Sequence, residues 1–322
     1  MRAIRFDTTG GPEVLQVVDV PRPEVQPGTV LIRHQAIGVN FIDTYFRTGL
    51  YPAPLPCIPG SEAAGIVEAV GEGVTRFEVG DLAAYCIGLG GYAEYGLVAE
   101  GRAVKVPAGV EITLAAAALL KGATAEYLLH RTYPVKRGDT ILLHAGAGGV
   151  GQIAIQWAKA LGAQVITTVG SEEKADIARK LGADHVILYR HEDVAARVRA
   201  ITGGLGVPVG YDSVGKDTFE ATLASLSVRG MFVSYGNASG AVEPFSPQRL
   251  AAGGSLFFAR PRLGDYIATP EELDLSAGRL WAVLRDGTVK IDIAQTFALE
   301  DARAAHEALE GRRTVGASLL IP

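Results

Sequence analysis

Cysteine is nearly missing: Cys57 and Cys86 are the only two in 322 residues. That excludes a disulfide framework and a cysteine-rich zinc site. Excess positive charge is missing too. Lys and Arg number 30 against 35 Asp and Glu, a net charge of −5 with no basic block, which argues against nucleic acid as a partner. Long apolar runs are lacking as well. The nearest, Leu114 to Leu120, stops at Lys121, short of the roughly 18 residues a membrane helix needs. The opening Met1-Arg2-Ala3-Ile4-Arg5-Phe6-Asp7 has no signal-peptide apolar core. What is present suits a folded chain: 48% hydrophobic and 20% charged residues can bury a core, and the 40 glycines mark backbone positions under steric constraint. At about 150 residues per domain, the expectation is a two-domain cytoplasmic protein that does not enter a membrane.

The first third is poor in helix signals. Short apolar runs bounded by Gly and Pro at Val14–Val18, Val30–His34 and Ala64–Val70, with another strand pair starting at Val79, predict a small β barrel or sandwich. Near residue 112 the character changes. Thr113 is placed to cap a helix continuing through Leu129. From Thr140, strands and helices alternate. Strands are expected at Ile141–Ala145, Gln164–Val169, His185–Leu188, Val209–Asp212, Gly230–Ser234 and Ser255–Phe258. Helices are expected at Val150–Leu161, Glu172–Leu181, Asp193–Ile201 and Phe219–Leu226. Such alternation builds a doubly wound parallel sheet with helices on both faces. A helix follows at Pro270–Arg285, and the last strand-like segment, Ala317–Ile321, has no place in a completed doubly wound sheet. The fold class is therefore α/β, with residues 1–120 and 261–322 forming the β-rich domain and 121–260 a Rossmann domain.

Gly146-Ala147-Gly148-Gly149-Val150-Gly151 fits G-x-G-x-x-G between an expected strand and an expected helix. A pyrophosphate must reach backbone N–H groups at a helix N-terminus, and side chains at these glycines would block that approach or the helix–strand contact. A reader of the ribose 2′-hydroxyl would be an acid about 20 residues on. The second strand ends instead in Thr167-Thr168-Val169-Gly170-Ser171, followed by Lys174, which suits a 2′-phosphate and hence NADPH. Glu172 and Glu173 stand against this, although acids are favoured in a first helical turn in any case. A merely solvated Lys174 is the alternative.

The segments Ala36 to Asp43, Gly60 to Gly65 and His144 to Gly151 resemble the medium-chain dehydrogenase/reductase superfamily. Asn40 to Tyr45, Gly49 to Pro52, Leu120 to Gly122, Tyr211 to Gly215 and Ser234 to Asn237 resemble more closely its zinc-free NADPH:quinone oxidoreductases, the zeta-crystallin-like group. The resemblance implies a GroES-like catalytic domain split around a Rossmann domain, usually in a homo-oligomer and often a homodimer through the Rossmann sheets, with Ser255 to Phe258 either an edge strand of that dimer or an internal strand. At the positions where the alcohol-dehydrogenase branch holds catalytic zinc, this chain has Asn40, Ser61 and Lys121, and the four-cysteine lobe is missing at Gly90 to Glu94. Asn and Ser are poor zinc ligands and a Lys ammonium has no lone pair, so no metal is expected. Alcohol oxidation is hard without a Lewis acid, whereas an electron-poor conjugated acceptor such as a quinone needs only hydride, positioning and donors for the developing oxyanion.

The resemblance places Asn40, Asp43, Tyr45 and Tyr51 over the nicotinamide, Asn40 and the phenols as donors to an acceptor carbonyl and Asp43 as a structural acceptor. Lys121 either holds the substrate carbonyl or cofactor, or snorkels to the surface. Thr124 is a hydroxyl candidate for the nicotinamide amide. Tyr189 and Arg190, after the third strand, are candidates to flank the adenosine phosphate, and Ser213, Asn237 and Arg260 match family cofactor contacts, with a plain surface charge the alternative for Arg260. His144 reads as a satisfied core histidine. Two other functions compete: an enone or enoyl-thioester reductase, and a non-catalytic, crystallin-like NADPH-binding protein.

Overall fold

The computed structural model describes residues 1–86 and 88–322. The chain divides into two compact units: Met1–Ala123 with Ile267–Arg285 and Ile291–Pro322, and Thr124–Tyr266 with Asp286–Lys290. The boundaries read from sequence lay at 120/121 and 260/261. The chain passes between the units inside one helix, Ile112–Tyr127, whose interior gives no sequence signal of a boundary.

In the first unit a seven-stranded sheet runs in the order Ile293–Ala298, Ala317–Ile321, Thr29–Val39, Glu62–Val70, Leu82–Cys86, Ala103–Lys105, with Tyr95–Ala99 also pairing to Thr29–Val39. Ser318 lies opposite Val39 and Leu320 opposite Ile37, so the C-terminal strand is antiparallel to the strand that leads into Asn40. Ile32, Ile37, Val67, Phe77, Tyr85 and Leu320 are among the residues of the core beneath it. The expected strand at Val14–Val18 is a 3₁₀ turn, Pro12–Val14, followed by a strand at Gln16–Asp19. Proline in the first turn, lacking an N–H, favours that turn over a ladder position.

In the second unit six parallel strands run in the order His185–Leu188, Gln164–Val169, Thr140–Leu143, Val207–Asp212, Leu226–Ser234, Phe257–Ala259. Chain order 3-2-1-4-5-6 is that of a dinucleotide-binding sheet. It brings the segments after Leu143, Val169, Leu188, Asp212, Ser234 and Ala259 to one edge, the carboxyl ends of the strands.

One expectation is corrected. The helix begins at Ile112, with Ala115 N–H donating to the Glu111 carbonyl, so Thr113 lies inside it and does not cap it. The uninterrupted apolar run does end at Lys121, while the helix runs on past it as expected. Helix and following π-turn form one segment, Ile112–Thr132, long and apolar enough by composition to cross a membrane, yet 78% of its most apolar window is buried inside the protein. It is a core helix, and Lys121 fits into it because its charge is met from below.

Candidate active site

In the first unit the strand Thr29–Val39 delivers Asn40 in extended conformation to the start of a short helix, Phe41–Thr48. Asp43, one turn in, reaches back so that Asn40 N–H donates to its Oδ2 at 2.9 Å. Ser61 Oγ donates to Asp43 Oδ1 at 2.8 Å and Tyr92 OH to Oδ2 at 3.1 Å. Burial pushes the Asp43 carboxyl up to about 6, while these donors and the Lys121 charge pull it down.

Beside it lies an ion pair. Glu62, fully buried at the start of its strand, accepts Lys121 Nζ at 2.9 Å and Asn40 Nδ2 at 3.0 Å on Oε2, and Leu120 N–H at 2.7 Å on Oε1. Gly38 makes room for this: a Cβ there would stand 2.2 Å from Glu62 Oε2 and 2.6 Å from the Ala116 carbonyl. Lys121 is only 5% exposed, so it does not snorkel. An ammonium has three N–H bonds, and Glu62 is its hydrogen-bond partner among the described residues. Asn40 differs. Both its amide hydrogens are committed, to Glu62 and to the Gly38 carbonyl at 3.3 Å, so the expected donation from Asn40 to an acceptor carbonyl is not available. Tyr45 and Tyr51 meet edge to face at 5.2 Å, and Thr124 is buried on the same helix as Lys121.

Zinc does not suit these residues. Each of the three side chains at the former ligand positions is a hydrogen donor, Asn40 and Lys121 to Glu62 and Ser61 to Asp43, so no set of lone pairs converges. No cluster of His, Cys, Asp or Glu able to hold a metal ion occurs among the described residues, and Cys57 and Cys86 are buried free thiols.

In the second unit the glycine loop leads into the helix Gly149–Ala160, whose cap, Gly148, supplies no side-chain acceptor, leaving its first N–H groups to a ligand. Gly146 and Gly151 have no room for a side chain: a Cβ would stand 2.2 Å from Thr167 Oγ1 and 2.3 Å from the Ala145 carbonyl, respectively. Val150 lies in the first turn of that helix. These residues fit a pyrophosphate. At the tip of the next strand, Ser171 caps the helix Glu172–Lys180 and accepts from Lys174 N–H at 3.4 Å, which puts Lys174 in its first turn. Glu172 is turned along its own helix to Arg179. Tyr189 lies against Gly170, where a Cβ would be 2.8 Å from its hydroxyl. The Ser213 and Asn237 loops are laced together, with Ala238 N–H donating to the Ser213 carbonyl at 3.2 Å. Arg260 stands exposed just past the edge strand and donates to the Pro261 carbonyl.

His144 is a core residue, fully buried between the Thr168 and Thr222 hydroxyls at 2.9 Å each, with its pKa lowered by burial. Sequence reading gave no role to Glu62, Asp212, Tyr92 or His306. Asp212 accepts from Val214 and Gly215 N–H and from the Thr218 and Thr222 hydroxyls, fixing the turn that carries Ser213. A lone lysine in an apolar helix signals that some buried acid must exist, but not which one.

Residues 26–108 match the family model of the alcohol dehydrogenase GroES-like domain, and residues 149–269 that of the zinc-binding dehydrogenases. The chain is 52% identical over its full length to a quinone oxidoreductase of Pseudomonas aeruginosa, covering 99% of that protein. The Escherichia coli quinone oxidoreductase, solved in complex with NADPH, is 48% identical and superposes with a TM-score of 0.99 over 100% of both chains. This chain belongs to the quinone oxidoreductase family of medium-chain dehydrogenases/reductases. A 2-haloacrylate reductase of Burkholderia, 45% identical over 97% of this chain and 96% of its own, is a further relative. Within the family, the "zinc-binding" name of one matching model does not extend to positions 40, 61 and 121, whose side chains here are donors.

Proposed function

We propose that this protein is an NADPH-dependent quinone reductase that needs no metal for hydride transfer. The supporting observation is the buried Lys121–Glu62 pair, a fixed positive charge with N–H bonds to spare where zinc-dependent relatives have a ligand. When bound, the reduced nicotinamide supplies the hydride. The residues of the chain do the rest. The glycine loop and the N-terminus of the helix Gly149–Ala160 take the pyrophosphate, Lys174 and Ser171 the 2′-phosphate, and Gly170, Tyr189, Ser213, Asn237 and Arg260 line the remainder of the cofactor site. Thr124 offers its hydroxyl to the nicotinamide amide. Tyr45 and Tyr51 provide ring faces for a flat acceptor. Lys121 donates to the oxygen on which negative charge develops, held in place by Glu62 so that little reorganisation is needed.

The finer readings are a homodimer and a cytoplasmic location. Phe257–Ala259 ends its sheet with Phe257 56% exposed, which supports pairing with the same edge of a second copy. Sedimentation of the wild-type and Phe257→Lys proteins tests this; two monomeric species would overturn it.

NADPH oxidation against a panel of quinones and enones tests the function. Turnover of quinones is expected. Activity with enones alone would reassign the acceptor, and tight NADPH binding with no turnover would make this a binding protein.

A further inference from the structure

The hydrogen bonds leading to Asp43 have a direction that donor chemistry fixes. Arg47 has donors only. Its Nη1 lies 3.0 Å from His306 Nδ1, so Nδ1 must accept. The neutral imidazole then carries its hydrogen on Nε2, which faces the Tyr92 hydroxyl at 3.0 Å. Tyr92 accepts there and gives its own hydrogen to Asp43 Oδ2 at 3.1 Å. Arg47 is itself anchored by the Glu310 carboxylate at 2.6 and 2.9 Å and by the Gly10 carbonyl at 3.1 Å. Each hydrogen from Arg47 to Asp43 thus points the same way, along side chains from the helix Phe41–Thr48, the loop at Tyr92 and the helix Ala302–Glu310.

We propose that Arg47, His306 and Tyr92 form a one-way chain that keeps Asp43 an acceptor for Asn40 N–H and Ser61 and, through the Asn40 amide on Glu62 Oε2, positions the Glu62–Lys121 pair on the acceptor side of the site. This rests on the quinone reductase reading only for what the positioned groups face. Reversing the chain would put a hydrogen on His306 Nδ1 directly against the guanidinium, two donors in contact. Asp43 therefore cannot draw a replacement proton through His306. A quinone receiving hydride from NADPH, which leaves as NADP⁺, takes the one further proton needed for hydroquinone from solvent by another route. Burial and the Arg47 charge push His306 down to about 3, in keeping with a lone pair that stays unprotonated. Glu62 and Lys121 complete the charged surroundings, Glu62 through its hydrogen bond from Asn40 and Lys121 through its charge acting on Asp43.

Nitrogen-15 NMR of the histidines in the wild-type protein reads the chain directly. His306 is expected as the Nε2–H tautomer, unchanged from pH 8 to pH 5. The Nδ1–H form, or titration near pH 6.5, would overturn the direction. For the positioning role, Tyr92→Phe and His306→Leu are compared with His306→Gln, whose amide keeps one donor and one acceptor. Tyr92→Phe and His306→Leu are expected to shift the Asn40 side-chain amide resonance and lower kcat/KM for quinone about tenfold, with NADPH Kd within about twofold, and His306→Gln to recover within about threefold. Unmoved Asn40 resonances and wild-type kcat/KM would overturn the positioning role. If the wild-type protein reduces no quinone, the function reading fails, while tautomer and Asn40 resonance still decide the chain.

Discussion

The candidate sites of the two units are built from different materials. The cofactor side in the second unit is mostly backbone: glycines without room for a Cβ, open N–H groups at a helix start, and a capped turn. The acceptor side in the first unit is side chain: a buried ion pair and a buried carboxylate, each supplied with donors from several elements. Backbone sites tolerate little added bulk, and charge reaches this one only through side chains added to it, such as Lys174 and Arg260. Side-chain sites hold charge that must stay matched, so their failures are electrostatic.

The sharpest way to break that contrast is Lys121→Met. It leaves Glu62 charged, buried and short of its counter-ion, and stability is expected to fall by about 3–5 kcal/mol. Adding Glu62→Gln is expected to restore most of the melting temperature but not quinone turnover. Denaturant titration with assays of both variants measures this. Next in size is the backbone side. Gly151→Ala puts a methyl 2.3 Å from the Ala145 carbonyl, and NADPH affinity is expected to drop about hundredfold by calorimetry, roughly 2.7 kcal/mol.

These two variants also mark what was legible in the sequence. The glycine loop could be read because its residues are neighbours in the chain and strand and helix patterns flank it. The alternation of strands and helices, and the limits of Gln164–Val169, His185–Leu188 and Ala317–Ile321, followed from the same periodicity, whereas the order of strands in the sheet did not. Lys121 stood out as a charge in an apolar helix, yet its partner Glu62 lies 59 residues away, and the Tyr92–His306 contact spans 214. Hydrogen bonds between such distant residues leave no periodic trace, so Asp43 could be read as an acceptor while its donors could not. The expectation for Asn40 failed for the same reason, because Glu62 had already taken its amide.

Proton linkage acts in both units, since burial lowers His144 in the second as well. Burial lowers His34 to about 4 and His306 to about 3, so both take up protons more readily unfolded, and their stability contribution is lost as pH falls below 6.5. Asp43, raised to about 6, works in the opposite sense between about 4 and 6. His306→Asn is expected to flatten the acid loss of stability by up to about 1.4 kcal/mol per pH unit, seen in melting curves from pH 6.5 to 4. The smallest effect expected is at Lys174. Lys174→Glu should weaken NADPH relative to NADH by roughly 1 kcal/mol, about fivefold in the ratio of their Kd values. Equal losses for both cofactors would remove Lys174 from 2′-phosphate recognition.

Zinc content and turnover measured together on one preparation bear most directly on the donor site at Asn40, Ser61 and Lys121. After exhaustive chelation, the protein should retain full NADPH:quinone activity with far less than one zinc per chain. Loss of activity on chelation, restored by one equivalent of zinc, would contradict a site whose charge is supplied by lysine.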